Sequence, residues 1–230
     1  AMQQPQGPVF LSLPLDDWDK EIAEVEVART VSTRQGPDPD RVAQFVERIN
    51  ASKNPVLIYG SDIARNQSWL EGVAFAERIN APVWAAPFAE RTPFPEDHPL
   101  FQGALTSGIG SLSKQIEGHD LVVVVGAPVF RYYPWIAGEY IPAGSTLLHI
   151  SDDPNSTSKA VVGDSLVSDS KLFFTEALKG LNEKKNQQVP KRTVMGKEDR
   201  AAIPMLPHAV LEVLQENSPK DIVLVEECPS

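Results

Sequence analysis

The 230-residue chain has one cysteine, Cys228, and only four histidines, scattered at His98, His119, His149 and His208. A single thiol excludes an internal disulfide and a thiolate cluster, and the histidine spacing matches no zinc-ligand pattern. No metal site is expected. Positive charge is short as well: 21 Lys and Arg stand against 31 Asp and Glu, a formal net charge of −10. That balance repels phosphate backbones, and no basic stripe with interleaved aromatics offsets it, so nucleic acid is not an expected partner. Long apolar runs are missing too. The longest, Leu121–Val125 extended by Gly126–Phe130, is far short of a membrane span, and no basic segment followed by an apolar stretch marks a secretory signal. The expected setting is cytoplasmic, with no membrane partner, and the glycosylation-like triplets at Asn66 and Asn155 read as coincidences.

What the chain does have is 42% hydrophobic and 23% charged residues, the balance of a globular protein. Apolar runs alternate with helical periodicity. Asp40 is the expected cap of a helix bearing Val42, Phe45, Val46 and Ile49, and Pro55–Gly60 reads as a buried strand. Asn66 or Ser68 starts a helix whose broad face carries Trp69, Leu70, Val73, Ala76 and Ile79, and Pro82–Ala86 is strand again. A proline-marked loop, Pro87–Gly103, precedes a helix near Ser107–Glu117. Leu121–Val125 is the strongest strand signal, since five consecutive apolar residues, four of them β-branched, suit a strand covered on both faces. Ser145–Ile150 follows, then a short edge strand around Val161-Val162 and Ser165–Val167, and a helix capped by Asp169. The expected fold is α/β: a three-layer parallel sheet of five or six strands, Rossmann-like, with right-handed crossovers.

Both ends, Gly7–Pro14 and Asp221–Ser230, read as strands cut in mid-protein, so the chain is expected to be a piece of a longer one, with Ala1-Met2 added ahead of the natural sequence. Composition divides it into 1–15, a connector at 16–39, a central α/β domain at 40–181, a linker at 182–204, and a start of another domain at 205–230, where Pro207 suits a helix first turn.

Parallel sheets place ligands beyond the carboxyl ends of their strands. Gly60 and Ser61 stand at such an end, but the following residues lack the glycine-rich dinucleotide fingerprint and a phosphate-binding lysine motif. Gly108–Ser111 reads either as an anion nest or as a capped helix whose glycines permit close packing. Gly126–Trp135, with Phe130, Tyr132, Tyr133 and Trp135 around Arg131, reads equally as a loop lining a ligand site and as an aromatic interface. Asp16, Asp17, Asp19 and Glu21 around Trp18 read as a solvated face rather than a cation site. Buried paired carboxylates are not expected. Glu226, Glu227 and Cys228 close the last strand, Cys228 as a small buried filler rather than a nucleophile.

At GPVFLSLPLDDWDK, FPEDHPLFQG and GHDLVVVVGAPVFRYYPW the chain resembles the thiamine diphosphate-dependent 2-oxo acid decarboxylases, most closely their benzoylformate-cleaving branch. The resemblance implies a lyase that releases carbon dioxide and aldehyde from a small 2-oxo acid. It also implies a homotetrameric parent, with thiamine diphosphate and magnesium, built from pyrimidine-binding, middle and diphosphate-binding domains. On that resemblance, 1–15 ends the first domain, 40–181 is the middle domain and 205–230 begins the third. This piece is then structural and inactive, a monomer or weak dimer, with no cofactor bound. In the benzoylformate-cleaving branch the middle domain supplies a catalytic histidine from an APVFRYH segment; Tyr133 holds that position here. Imidazole, with a reference pKa of about 6.5, exchanges protons near neutrality, whereas a phenol near 10 donates a hydrogen bond. Glu227 and Pro229 match positions bordering cofactor and substrate, Pro229 replacing a threonine. Two alternatives stay open: a middle domain that holds FAD or ADP, as in other branches, and a carboligase parent.

Overall fold

Uniformly apolar strands require a sheet covered on both faces, and two separate cores meet that requirement. The computed structural model describes every residue except 1–5, 25, 26, 28, 30, 131, 134, 185–188, 193–199, 224 and 226–230. Its elements run α1 (Pro39–Ala51), β1 (Pro55–Tyr59), α2 (Asp62–Arg65), α3 (Trp69–Ile79), β2 (Val83–Ala85), β3 (Phe101–Ala104) and α4 (Ile109–Gln115). They continue with β4 (Leu121–Val125), β5 (Thr146–Ser151), α5 (Pro154–Ser158), β6 (Asp164–Val167), α6 (Ser170–Ala177) and α7 (Pro207–Asn217). All but α7 belong to one compact unit, Ala1–Arg192; α7 belongs to a second, Thr193–Ser230.

The sheet is parallel throughout, in the order β3-β2-β1-β4-β5-β6. This doubly wound order reverses direction between β1 and β4. Side chains alternate across the strands. Leu57, Tyr59, Val123 and Val125 join Phe45, Ile49, Phe75, Phe173 and Phe174 on the face covered by α1, α3 and α6. Val56, Ile58, Val122 and Val124 join Leu112 of α4, Ile116 and Phe130 on the other. Full burial of each such side chain is worth about 1.5–3 kcal/mol, so the two cores together fix the three-layer arrangement.

Helix starts follow local chemistry. Asp38, not Asp40, caps α1: its carboxylate accepts the N–H groups of Asp40 (2.9 Å) and Arg41 (3.1 Å), and Pro39 fills the first turn. Asp169 caps α6 as expected, accepting from Lys171 and Leu172. The inward face of α3 is Gly72, Phe75, Ala76 and Ile79; Trp69 and Leu70, at its first turn, are exposed. The Pro87–Gly103 loop ends in an unexpected edge strand, β3, which pairs with β2 across a register shift at Val83/Trp84. The opposite edge strand starts at Asp164, leaving Val161 and Val162 outside it. Gly7–Pro14 forms no strand; Val9, Phe10, Leu11 and Leu13 lie exposed, with no ladder partner among the described strands.

In the second unit Pro207 opens α7 as expected, and Arg200 bonds Glu216 through both guanidinium nitrogens (2.8 and 2.6 Å). Ile222, Val223 and Val225 are exposed and not in a strand. No described helix is long and apolar enough to cross a membrane.

The two central strands leave the sheet in contact. A Cβ on Gly60 would stand 2.2 Å from the carbonyl oxygen of Gly126, and Gly126 itself holds φ +71. Replacing Gly60 by alanine is expected to destabilise the chain by about 2 kcal/mol in urea denaturation, as overpacking does. Gly7→Ala, with nothing within 4 Å of the new methyl, is expected to leave the midpoint unchanged.

Candidate functional site

Where β1 and β4 part, the sheet opens a crevice of about 340 Å³ lined by residues following β1, β2, β4 and β5. Hydrogen bonds set its floor. Gly60 N–H donates to Val125 O (2.9 Å), Gly126 N–H to Ile150 O (2.8 Å) and Asp62 N–H to Gly126 O (3.3 Å). Gly60 and Ser61 both line it, the Ser61 hydroxyl accepting the N–H of Glu90 at 2.8 Å.

Two carboxyls, Asp62 beyond β1 and Asp152 beyond β5, line the crevice and act on each other electrostatically. Burial pushes the Asp62 carboxyl up to about 6; Asp152 raises it further, while Arg65 and the Ser151 hydroxyl oppose the rise. Burial also raises Asp152, against the hydrogen bond it accepts from Asn66 Nδ2 at 3.0 Å. Arg65, the one guanidinium among the described lining residues, is shared between Asp62 (3.1 Å) and Glu90. Phe88 and Tyr132, with ring centroids 6.3 Å apart, close one side. Asp62, Glu90, Asp152 and Asp153 line the crevice together with Arg65, which is already paired with Asp62 and Glu90, so the described lining offers a phosphate more carboxyls than cations. The described residues that line this crevice therefore do not fit a diphosphate, whether of FAD, ADP or thiamine diphosphate. No described group of three or more His, Cys, Asp and Glu is arranged to hold a metal ion.

The segment after β4 divides between two surroundings. Ala127, Val129 and Phe130 are buried. The Ala127 carbonyl lies 2.9 Å from His149 Nε2, and the Tyr132 hydroxyl donates to Pro128 O at 3.0 Å. Burial raises the Tyr132 phenol above its ordinary value. Tyr133, in contrast, is 84% exposed, alongside exposed Trp135 and Ile136, and does not line the crevice. Arg131 lies outside the described residues.

The other candidates separate cleanly. At Gly108–Ser111 the close-packing reading fits: a Cβ on Gly108 would stand 2.7 Å from Ile136 Cδ1, and one on Gly110 2.9 Å from Ala137 O. The hydroxyls there are engaged, Thr106 Oγ1 donating to Ser111 Oγ (2.9 Å) and Ser111 Oγ to Gly108 O (2.9 Å). Asp16 and Asp17 are exposed and paired with Lys20. Glu226, Glu227, Cys228 and Pro229 lie outside the described residues. The carboxylate pair corrects the expectation that no buried acids would meet. Asp62 and Asp152 are 90 positions apart in sequence, yet each follows the carboxyl end of a strand, and that rule was the available signal.

A carboxyl whose folded pKa stands near 6 against an ordinary 3.8 contributes stability below 3.8 and loses it as pH rises through 6. Asp62→Asn is accordingly expected to raise stability at pH 7.5 by on the order of 1 kcal/mol, after loss of the Arg65 contact, and to give no gain at pH 4. Denaturation of both proteins at the two pH values checks this. In the unmodified chain, NMR titration of the Asp62 carboxyl should show a midpoint near 6.

Residues 42–178 match the family model described as thiamine pyrophosphate enzyme, central domain. Benzoylformate decarboxylase of Pseudomonas aeruginosa is 37% identical over 236 aligned residues, covering 100% of this chain and 44% of that protein. The crystal structure of benzoylformate decarboxylase from Polynucleobacter necessarius superposes with a TM-score of 0.95 at 79% identity, covering 100% of this chain and 43% of that one. The thiamine diphosphate-dependent 4-hydroxybenzoylformate decarboxylase of Rhodococcus jostii RHA1 gives 0.80 at 31% identity, covering 96% of this chain and 42% of that one. The chain spans less than half the length of these relatives. Its doubly wound sheet and the match through 42–178 assign it to the thiamine pyrophosphate enzymes, as a central domain of that family.

Proposed function

We propose that this chain is the central domain of a thiamine diphosphate-dependent, non-oxidative 2-oxo acid decarboxylase that converts benzoylformate to benzaldehyde and carbon dioxide. The observation that carries the reading is the 79% identity, over the full chain, to a benzoylformate decarboxylase of known structure. In this reading the 230 residues supply scaffold and one active-site segment. Bond cleavage is the work of thiamine diphosphate and magnesium, held outside the described residues. Residues 1–15 and 205–230 then belong to the flanking pyrimidine-binding and diphosphate-binding domains, with Glu227 and Pro229 bordering the cofactor and substrate. The parent is a homotetramer.

Tyr133 is the segment's contribution. Its exposure leaves the phenol free to face another domain or subunit, as a hydrogen-bond donor where a histidine would exchange protons. The nucleotide-binding alternative is disfavoured by the crevice, whose four carboxylates oppose a phosphate with one already paired guanidinium.

Full-length protein with thiamine diphosphate and magnesium is expected to release benzaldehyde from benzoylformate, and the isolated 230-residue chain to release none. Absence of turnover by the full-length protein would refute the assignment. Tyr133→His in the full-length protein is expected to raise kcat on benzoylformate by about tenfold, the low end of what a positioned general acid contributes; an unchanged rate would remove Tyr133 from the chemistry. Calorimetry of the chain with FAD and with ADP is expected to show no binding heat.

A further inference from the structure

His149 is the one imidazole lying inside the sheet, and its chemistry is out of keeping with its strand. β5 reads Thr-Leu-Leu-His-Ile-Ser, and the two leucines and Ile150 beside His149 are buried hydrophobes. His149 is itself 0% exposed and pairs in register with Val124 of β4. A branched aliphatic side chain would fill this place without a polar group to satisfy. The imidazole instead uses both nitrogens: Nε2 lies 2.9 Å from the Ala127 carbonyl, and Nδ1 3.1 Å from Ser165 Oγ on β6.

These contacts fix the tautomer. A carbonyl oxygen only accepts, so Nε2 carries the hydrogen and Nδ1 accepts from the Ser165 hydroxyl. Burial, opposed only by the Ala127 contact, holds the ring neutral down to a pKa of about 4. The result is a directional clamp between the middle of the sheet and the first residues after β4. The Ala127 carbonyl is held from β5, Gly126 N–H is held by Ile150 O, and Val129 and Phe130 are sunk into the core. Six residues beyond Ala127 stands Tyr133, exposed and with no side-chain hydrogen bond to fix its place among the described residues.

We propose that His149 is a positioning residue: through the Ala127 carbonyl it sets the course of the segment that carries Tyr133 to the reaction. This rests on the reading of Tyr133 given above. His149 is fully buried and does not line the crevice. It acts through the backbone, and a small displacement of a reacting group is enough to slow catalysis.

The test uses full-length protein with thiamine diphosphate and magnesium, comparing wild type with His149→Leu, which removes both bonds, and His149→Gln, whose amide can donate and accept. Measured are kcat and KM for benzoylformate per folded active site, melting temperature, and amide hydrogen exchange over 127–133. The expected result for His149→Leu is a fall in kcat of about tenfold, KM within about twofold of wild type, and faster exchange over 127–133. His149→Gln should recover kcat and slow exchange together. If His149→Leu does not fold, Ser165→Ala, which removes only the orienting hydroxyl, is expected to lower kcat by about threefold with KM unchanged. A lower melting temperature with unchanged kcat per folded site would overturn the proposal, as would a His149→Gln protein no better than His149→Leu. Loss of turnover already in the wild type would instead refute the decarboxylase reading, and the exchange data would then still decide whether His149 clamps the segment.

Discussion

The contact between the backbones of Gly60 and Gly126 is the constraint on which the rest of the domain depends. Two parallel strands at the centre of the sheet run in register from Pro55↔Leu121 to Tyr59↔Val125 and must then separate to opposite faces. Any side chain on Gly60 would enter the space of the Gly126 carbonyl, and any on Gly126 would meet Asp62. Close approach keeps the ladder going one step further, through Gly60 N–H to Val125 O and Asp62 N–H to Gly126 O. It thereby places the start of α2 against the exit of β4. The crevice, the position of Asp62 and the departure of the Tyr133 segment all follow from it.

A sheet of this topology has one obvious place for a ligand, and this chain fills that place with its own charges. Asp62, Asp152, Asp153 and Glu90 line it with Arg65, and the cost of keeping Asp62 buried shows in its raised pKa. The arrangement is coherent for a domain that supports a reaction rather than binding a nucleotide for it. The aromatic segment makes the same division on a smaller scale. Tyr132 turns back to bond its own loop at Pro128, while its neighbour Tyr133 turns outward.

The sheet was legible because its central strands are apolar without interruption, and the helices because Asp169 and Pro207 punctuate them. β3 was not legible: Phe101-Gln-Gly-Ala has neither an alternating pattern nor β-branched residues, and Gly103, at φ +107, sits where the register slips. Asp38 and Asp40 precede the same apolar face, and only the N–H directions show that Asp38 is the cap. The terminal segments lack a neighbouring strand among the described residues. Val9, Phe10, Val223 and Val225 have strand composition, but composition does not supply a neighbour, and these residues lie exposed. The acidic pair escaped because the proximity of residues 62 and 152 is a property of strand order, which pairs β4 between β1 and β5. The two bonds of His149 are invisible in sequence because they depend on β5 lying between β4 and β6.

The outward turn of Tyr133 has a consequence for how such a domain can change. A residue that is 84% exposed, on a segment whose neighbours Val129 and Phe130 are locked in the core, contributes almost nothing to folding. Tyrosine, histidine or another side chain can be tried at that position while the mount beneath it stays the same. Substitution at this exposed position therefore leaves the packing of Val129 and Phe130 beneath it as it is.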